Sequence, residues 1–204
     1  MITGILDYDA GNLTSVQNAL DHLGEKWLVS SDPAALARAD RLLVPGDGHA
    51  QTCMENLRSQ GLDQLLADFL QQGRPILGIC VGSQIVLERS DEGPCACLGL
   101  VPGSCHRLPG GGGLKVPHMG WNEVSLTDPA HPLVRGIPNR SSFYFVHSFY
   151  TAPAPGVSVL GTTDHGISFT VGFVHGSLAT WQFHPEKSGP VGLKLVENFL
   201  KWRP

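Results

Sequence analysis

A cysteine set between glycines, Gly78-Ile79-Cys80-Val81-Gly82, is the first place where residue type and spacing suggest chemistry. It follows an apolar run and precedes a helical stretch, 83–89. In that context a Gly-x-nucleophile-x-Gly turn lifts its central side chain out at the carboxyl edge of a sheet. The glycines let neighbouring backbones pass closely, and a helix N-terminus favours the thiolate through its dipole and free N–H groups. The N–H of Val81 is then placed to donate to a developing oxyanion. The competing reading is a buried cysteine beside packing glycines, and with 25 glycines in the chain such matches also arise by chance.

A cysteine nucleophile needs a base, and the base needs a third group to fix its tautomer. His184-Pro185-Glu186 ends a strand-like run, 178–183, and offers both across one rigid proline. The same residues also read as a surface turn with an unrelated glutamate, so the pair gains force only beside the cysteine elbow. His147, at the end of an aromatic run, reads as structural or as support for the site, and His22, His131 and His165 sit in polar or turn contexts. Cys95, Cys97, Cys105 and His106 lie close in sequence, but not at the spacing of a common zinc ribbon or finger. No metal or other cofactor is expected.

These groups need a frame. Short apolar runs alternate with helical patterns through the first half: strands are expected at Ile2–Leu6, 27–29, 41–44 and 75–79. A helix capped by Asn12 carries Leu13, Val16, Leu20 and Leu23, and a second helical stretch, 52–72, is broken near Gly61. Alternation of this kind predicts right-handed crossovers and a mostly parallel open α/β sheet with helices on both faces. The second half changes character: strands are expected at 143–147, 157–160, 167–174 and 178–183, separated by turn residues, and a final amphipathic helix at 191–202. They add antiparallel strands to the sheet. The glycine run 110–113 reads as a surface turn. The turn Pro45-Gly46-Asp47-Gly48 follows the third strand on the elbow's edge of the sheet, so the N–H of Asp47 can serve as a second oxyanion donor. The glycines beside it let that peptide plane rotate at low steric cost.

Composition bounds the rest. The 204 residues suit a single α/β domain, 1–204, and 42% hydrophobic against 16% charged residues is a globular balance. A net charge of −4 without a dense Lys/Arg run argues against nucleic acid. No apolar run approaches the roughly 20 residues of a membrane helix. Nothing at the N-terminus reads as a signal peptide, and five unevenly spaced cysteines fit a reducing cytoplasm better than a disulfide framework.

Taken together, the elbow and the His-Pro-Glu segment resemble the class I glutamine amidotransferases, and within them the glutaminase subunits of imidazole glycerol phosphate synthase. The similarity runs along nearly the whole chain, through segments 7–13, 45–48, 78–84, 116–124, 143–148 and 182–189. It implies a flavodoxin-like fold and a triad of Cys80, His184 and Glu186. It also implies an oxyanion turn at Asp47 with Val81, and substrate contacts at Gly46, Gly48, Gly82, Gln84 and Glu92. The expected partner is a (β/α)₈-barrel cyclase in a heterodimer, met through Asn12, Trp121, Tyr144 and Lys187. L-Glutamine would be hydrolysed here and its ammonia passed to that partner, which makes imidazole glycerol phosphate and aminoimidazole carboxamide ribotide in histidine biosynthesis.

The chain departs from the family pattern at Asp9, Asp47, Val81 and Ser83, where glycine, valine, leucine and methionine are usual. No triad position is lost. Other readings are a paralogous amidotransferase subunit of another synthase, a stand-alone γ-glutamyl or cysteine hydrolase, and a non-catalytic binding subunit. The presence of Cys80 weighs against the last.

Overall fold

A computed structural model describes residues 1–111 and 113–204. Its centre is four parallel strands: β1 (Ile2–Leu6), β2 (Lys26–Ser30), β3 (Arg41–Gly46) and β4 (Ile76–Cys80), in the order β2-β1-β3-β4. Strand β1 has β2 on one side and β3 on the other, so the winding direction reverses there, and sites in such sheets form at the carboxyl ends of the strands. Strands β3 and β4 are buried at every position, which suits strands covered on both faces.

The crossovers are helices α1 (Leu13–His22), α2 (Pro33–Leu36), α3 (Ala50–Ser59) and α4 (Leu62–Gln71). Asn12 caps α1 as expected, accepting the N–H of Ser15 at 3.2 Å. The break between α3 and α4 falls at Gly61, in the left-handed conformation with φ 70°. Helix α2, capped by Asp32 with Pro33 in its first turn, is an element the apolar spacing did not reveal. Strand β3 also runs further than the expected 41–44: Pro45 and Gly46 continue the ladder and place Gly46 opposite Cys80.

After the elbow, the expected helix 83–89 is a single turn, α5 (Val81–Gln84). The chain then leaves for the two-residue strands β5 (Arg89–Ser90) and β6 (Cys95–Ala96), and for β7 (Gly103–Arg107). The N–H groups of Leu98, Gly99 and Leu100 bond back to the carbonyls of Ile85, Leu87 and Val86. This tertiary pairing takes the acceptors that a longer helix would have used.

The second half holds β8 (His118–Leu126), β9 (Ser141–His147), β10 (Phe149–Pro153), β11 (Ser158–Asp164), β12 (Ser168–His175) and β13 (Leu178–Trp181). These pair antiparallel, except that β13 returns to run parallel to β4. The main path is β2-β1-β3-β4-β13-β12-β10-β7-β5-β6, and β11, β8 and β9 extend from β12. Strand β8 escaped the periodicity reading because glycine, asparagine and histidine interrupt its apolar positions. Helix α6 (Gly189–Lys201) closes the fold, with Trp202 buried just beyond its end. Of the expected turn 110–113, Gly112 lies outside the described residues, while Gly111 and Leu114 form an antiparallel bridge. No described helix is long and apolar enough to cross a membrane.

Candidate active site

Three neighbouring strands, β3, β4 and β13, end at the same edge, and each delivers one part of the site. Strand β4 delivers Cys80 with φ 55° and ψ −111°, a conformation that costs a non-glycine residue about 1–3 kcal/mol. Packing holds it there. A Cβ on Gly82 would lie 1.8 Å from the Val44 carbonyl oxygen, and one on Gly78 would lie 2.6 Å from that of Gly82. The Ser83 hydroxyl donates to the Cys80 carbonyl at 2.6 Å and ties the turn from within. Only glycines allow this close passage, so the elbow spacing reports a steric requirement. The thiol is buried and sits 3.8 Å from the Val146 carbonyl oxygen.

Beyond β13 comes His184. Its N–H donates to the Tyr144 carbonyl at 2.9 Å, and its own carbonyl accepts the Ser188 hydroxyl at 2.6 Å, so β9 and the turn Pro185–Lys187 clamp it from both sides. His184 Nδ1 lies 2.8 Å from Glu186 Oε1. An ionised carboxylate only accepts, so Nδ1 carries the proton and Nε2 is left for Cys80. Both ring and carboxylate are buried, and Nε2 has no hydrogen-bond partner. Burial pulls the imidazole's pKa down, but Cys80 and the Glu186 carboxylate outweigh it and lift the pKa to about 10. Both neighbours therefore favour the protonated imidazole.

Strand β3 brings the turn. Gly46 packs against the elbow so tightly that a Cβ would meet the Tyr8 hydroxyl at 2.7 Å and the Gly82 nitrogen at 2.9 Å. Asp47 is exposed, and its carboxylate accepts the Gly11 N–H at 3.0 Å. The Asp47 side chain thus ties the turn to the loop after β1. Beneath it Tyr8, fully buried, donates to the Pro45 carbonyl at 2.7 Å, and burial raises its pKa well above the usual phenol value. Tyr8 is a supporting residue that its sequence neighbourhood, Asp7-Tyr8-Asp9, did not mark.

A cleft of about 290 Å³ opens at Cys80, lined by Asp47, Gly48, Val81, Gln84, Glu92, Pro117 and the run 146–149. Gln84 is buried, and its amide donates to the Phe149 carbonyl at 3.0 Å and to Gln182 Oε1 at 3.2 Å. Its amide hydrogens therefore brace the wall, a structural duty beyond the expected substrate contact. Glu92 similarly accepts the Ala50 N–H at 2.8 Å, at the start of α3, with its other oxygen uncommitted to that bond. His147, read from sequence as structural or as support for the site, lines the cleft itself, and Ser148 and Phe149, which the sequence reading did not single out, line it too.

Two buried histidines brace this wall. His147 Nδ1 donates to the Phe149 carbonyl at 2.7 Å, so its Nε2 must accept from His118 Nδ1, 2.9 Å away. Burial holds both neutral, pulling His118 down to about 4 and His147 to about 3.

The residues expected at a partner face ring the same turn. Trp121 and Tyr144 are cross-strand partners with ring centroids 6.1 Å apart, and Trp121 is 60% exposed beside Met119 at 63%. Lys187 ends the turn that holds Glu186, and α1, headed by Asn12, packs against that turn. Cys95 and Cys97 are free thiols with sulfurs 3.9 Å apart.

A model of the family "Glutamine amidotransferase class-I" matches residues 5–202. The imidazole glycerol phosphate synthase subunit HisH of Nitratidesulfovibrio vulgaris (strain Miyazaki F) is 46% identical over 206 residues, covering 97% of this chain and 95% of that one. The HisH subunit of Synechococcus sp. (strain JA-3-3Ab) is 44% identical over 199 residues, covering 97% and 92%. Among solved structures, a glutamine amidotransferase superposes with a TM-score of 0.76 at 20% identity, covering 98% of each chain. PurLQS from Thermotoga maritima gives 0.74 at 18%, covering 98% and 97%. At these identities the structures speak for the fold.

Proposed function

Because this chain belongs to the class I glutamine amidotransferase family, we propose that it is the HisH-type glutaminase subunit of imidazole glycerol phosphate synthase, acting in histidine biosynthesis through Cys80, His184 and Glu186. One observation carries the reading: a buried His184, its Nδ1 engaged by Glu186 at 2.8 Å and its Nε2 unpartnered, on the strand end beside a strained Cys80.

The Cys80 thiolate attacks the side-chain amide carbon of L-glutamine in the cleft. Negative charge passes to the amide oxygen, where the N–H groups of Val81 and Asp47 receive it. Imidazolium His184 gives its Nε2 proton to the amide nitrogen, the C–N bond breaks, and ammonia leaves a thioester on Cys80. His184 then takes a proton from water, hydroxide attacks the thioester carbonyl, and glutamate and thiolate are released. Glu186 holds the ring in the required tautomer throughout. Gly46, Gly48 and Gly82 shape the space, and Gln84 and Glu92 face the substrate.

The whole span 1–204 works as one cytoplasmic amidotransferase domain. Its partner is a (β/α)₈-barrel cyclase that docks over Asn12, Trp121, Tyr144 and Lys187 and takes up the ammonia. Cys80→Ser should abolish glutamine-dependent synthesis by the complex and spare synthesis from ammonium. A variant that loses both, or keeps the first, overturns the assignment.

A further inference from the structure

A second set of residues, on the opposite arm of the sheet, has hydrolase geometry and no part in the reaction above. His106 Nδ1 lies 2.9 Å from Asp91 Oδ2, and His106 Nε2 lies 2.7 Å from the Ser104 hydroxyl. The carboxylate can only accept, so Nδ1 bears the proton. In the neutral ring Nε2 then accepts from Ser104, which aligns hydroxyl, imidazole and carboxylate in the order that activates a serine. Ser104 and His106 are two apart on β7 and so share a face, while Cys105 between them points into the core. Asp91 just follows β5, the parallel neighbour of β7.

The surroundings add two features a nucleophile uses. Arg89 stands directly across from Ser104 in the β5–β7 pair, so its side chain leaves the same sheet face. It is exposed and has no ion-pair partner among the described residues. A cation there can stabilise an oxyanion formed on Ser104. Tyr150, opposite His106 on β10, sets its ring 6.0 Å from the imidazole and walls one side. His106 and Asp91 are 37% and 51% exposed, so the face is open to solvent and suits small, activated substrates.

We infer that Ser104, His106 and Asp91 form a second nucleophilic centre that cleaves small activated carboxylic esters. The Ser104 oxygen bonds to the ester carbonyl carbon as its proton passes to His106 Nε2. The carbonyl–alkoxy bond then breaks, and the leaving alkoxide takes the electron pair and that proton. Water, deprotonated by His106, attacks the acyl-serine, and the proton returns to Ser104 as the carboxylic acid departs.

The test uses the full chain carrying Cys80→Ala, which removes the competing nucleophile at the elbow. It reads labelling by a fluorophosphonate probe, which is attacked by an activated serine with loss of fluoride. The label is mapped by peptide mass spectrometry, with p-nitrophenyl acetate turnover measured alongside. Ser104 should label at least about tenfold faster than the exposed Ser31 and Ser158, and His106→Ala should slow it by about 10²-fold, the lower end of general-base effects. Asp91→Asn should fall between, and Ser104→Ala should remove the esterase turnover. If His106→Ala unfolds, His106→Gln keeps a polar side chain without the base and takes its place. Uniform labelling of exposed serines, or Ser104 labelling indifferent to His106 and Asp91, overturns the inference.

Discussion

The parallel strands β3 and β4 and the antiparallel hairpin β8–β9 meet at the cleft, but they shape it by different means. In the parallel pair, Gly46 sits opposite Cys80, and Gly46, Gly78 and Gly82 are each required by atoms less than 3 Å from an added Cβ. Geometry there is stored in steric contact and in one strained residue. In the hairpin, His118 pairs with His147 and Trp121 with Tyr144 across strands whose outer face carries exposed Met119 and Trp121. Geometry there rests on hydrogen bonds between neutral histidines and on pairing with distant segments. The first region suits a nucleophile that must not move. The second joins the cleft wall to the exposed surface at which we propose that the partner docks.

Variants can break this contrast. The largest effect is expected at Glu186→Gln, which removes the charge that fixes the His184 tautomer: the glutaminase kcat of the complex should fall by about 10²–10⁴. Ammonium-dependent synthesis serves as control, and a loss below tenfold would mean that β9 and Ser188 alone hold the ring. Asp47→Pro, which deletes the backbone donor, should cost about 10²–10³ in kcat. Asp47→Val keeps the N–H and loses only the bond to Gly11, so it should cost far less. Equal losses would place the effect in the side chain and its tie to the loop after β1.

Smaller effects belong to the hairpin. Trp121→Ala should weaken cyclase binding about 30-fold, the roughly 2 kcal/mol of a central aromatic anchor. The unfolding temperature should barely change, because this ring is 60% exposed. A large drop in stability with unchanged affinity would make Trp121 a structural residue. Lys187→Ala, at the rim, should lower affinity only a few-fold and chiefly at low salt; an unchanged titration against the cyclase would leave it an ordinary solvated lysine.

The most gradual effect is on stability. His184 is raised to about 10 in the fold, against about 6.5 when unfolded, so the folded chain binds more protons between those values. The stability this contributes is complete below about pH 6.5 and fades as pH rises through about 10. Cys80→Ser removes one of the two groups that raise His184, so its contribution should fade at lower pH. Urea midpoints measured from pH 6.5 to 10 that run parallel for both chains would show that Cys80 does not raise His184.

Much of this was legible before the structure. The Asn12 cap and the Gly61 break each express a local rule, in which a steric or hydrogen-bonding need is met within a few residues of the one that signals it; the elbow glycines show as a short motif, although Gly82 is required by the distant Val44 carbonyl. The alternation of the first half conveyed the parallel sheet for the same reason. What periodicity missed, β8 above all and the short α5, depends on partners far along the chain: β8 is a strand because β9 and β11 pair with it, and α5 stops where the segment around Leu98 takes its carbonyls.

Neighbouring residues were enough to put Cys80 on a tight turn and a histidine and a carboxylate on either side of Pro185, since both are matters of adjacent positions. It took the packed fold to set β13 beside β4, to make Gln84 and Glu92 brace the walls of the cleft they line, and to bring His118 to His147. Each of those contacts spans tens of residues, and its geometry is set by how strands pack against one another, which no local pattern encodes.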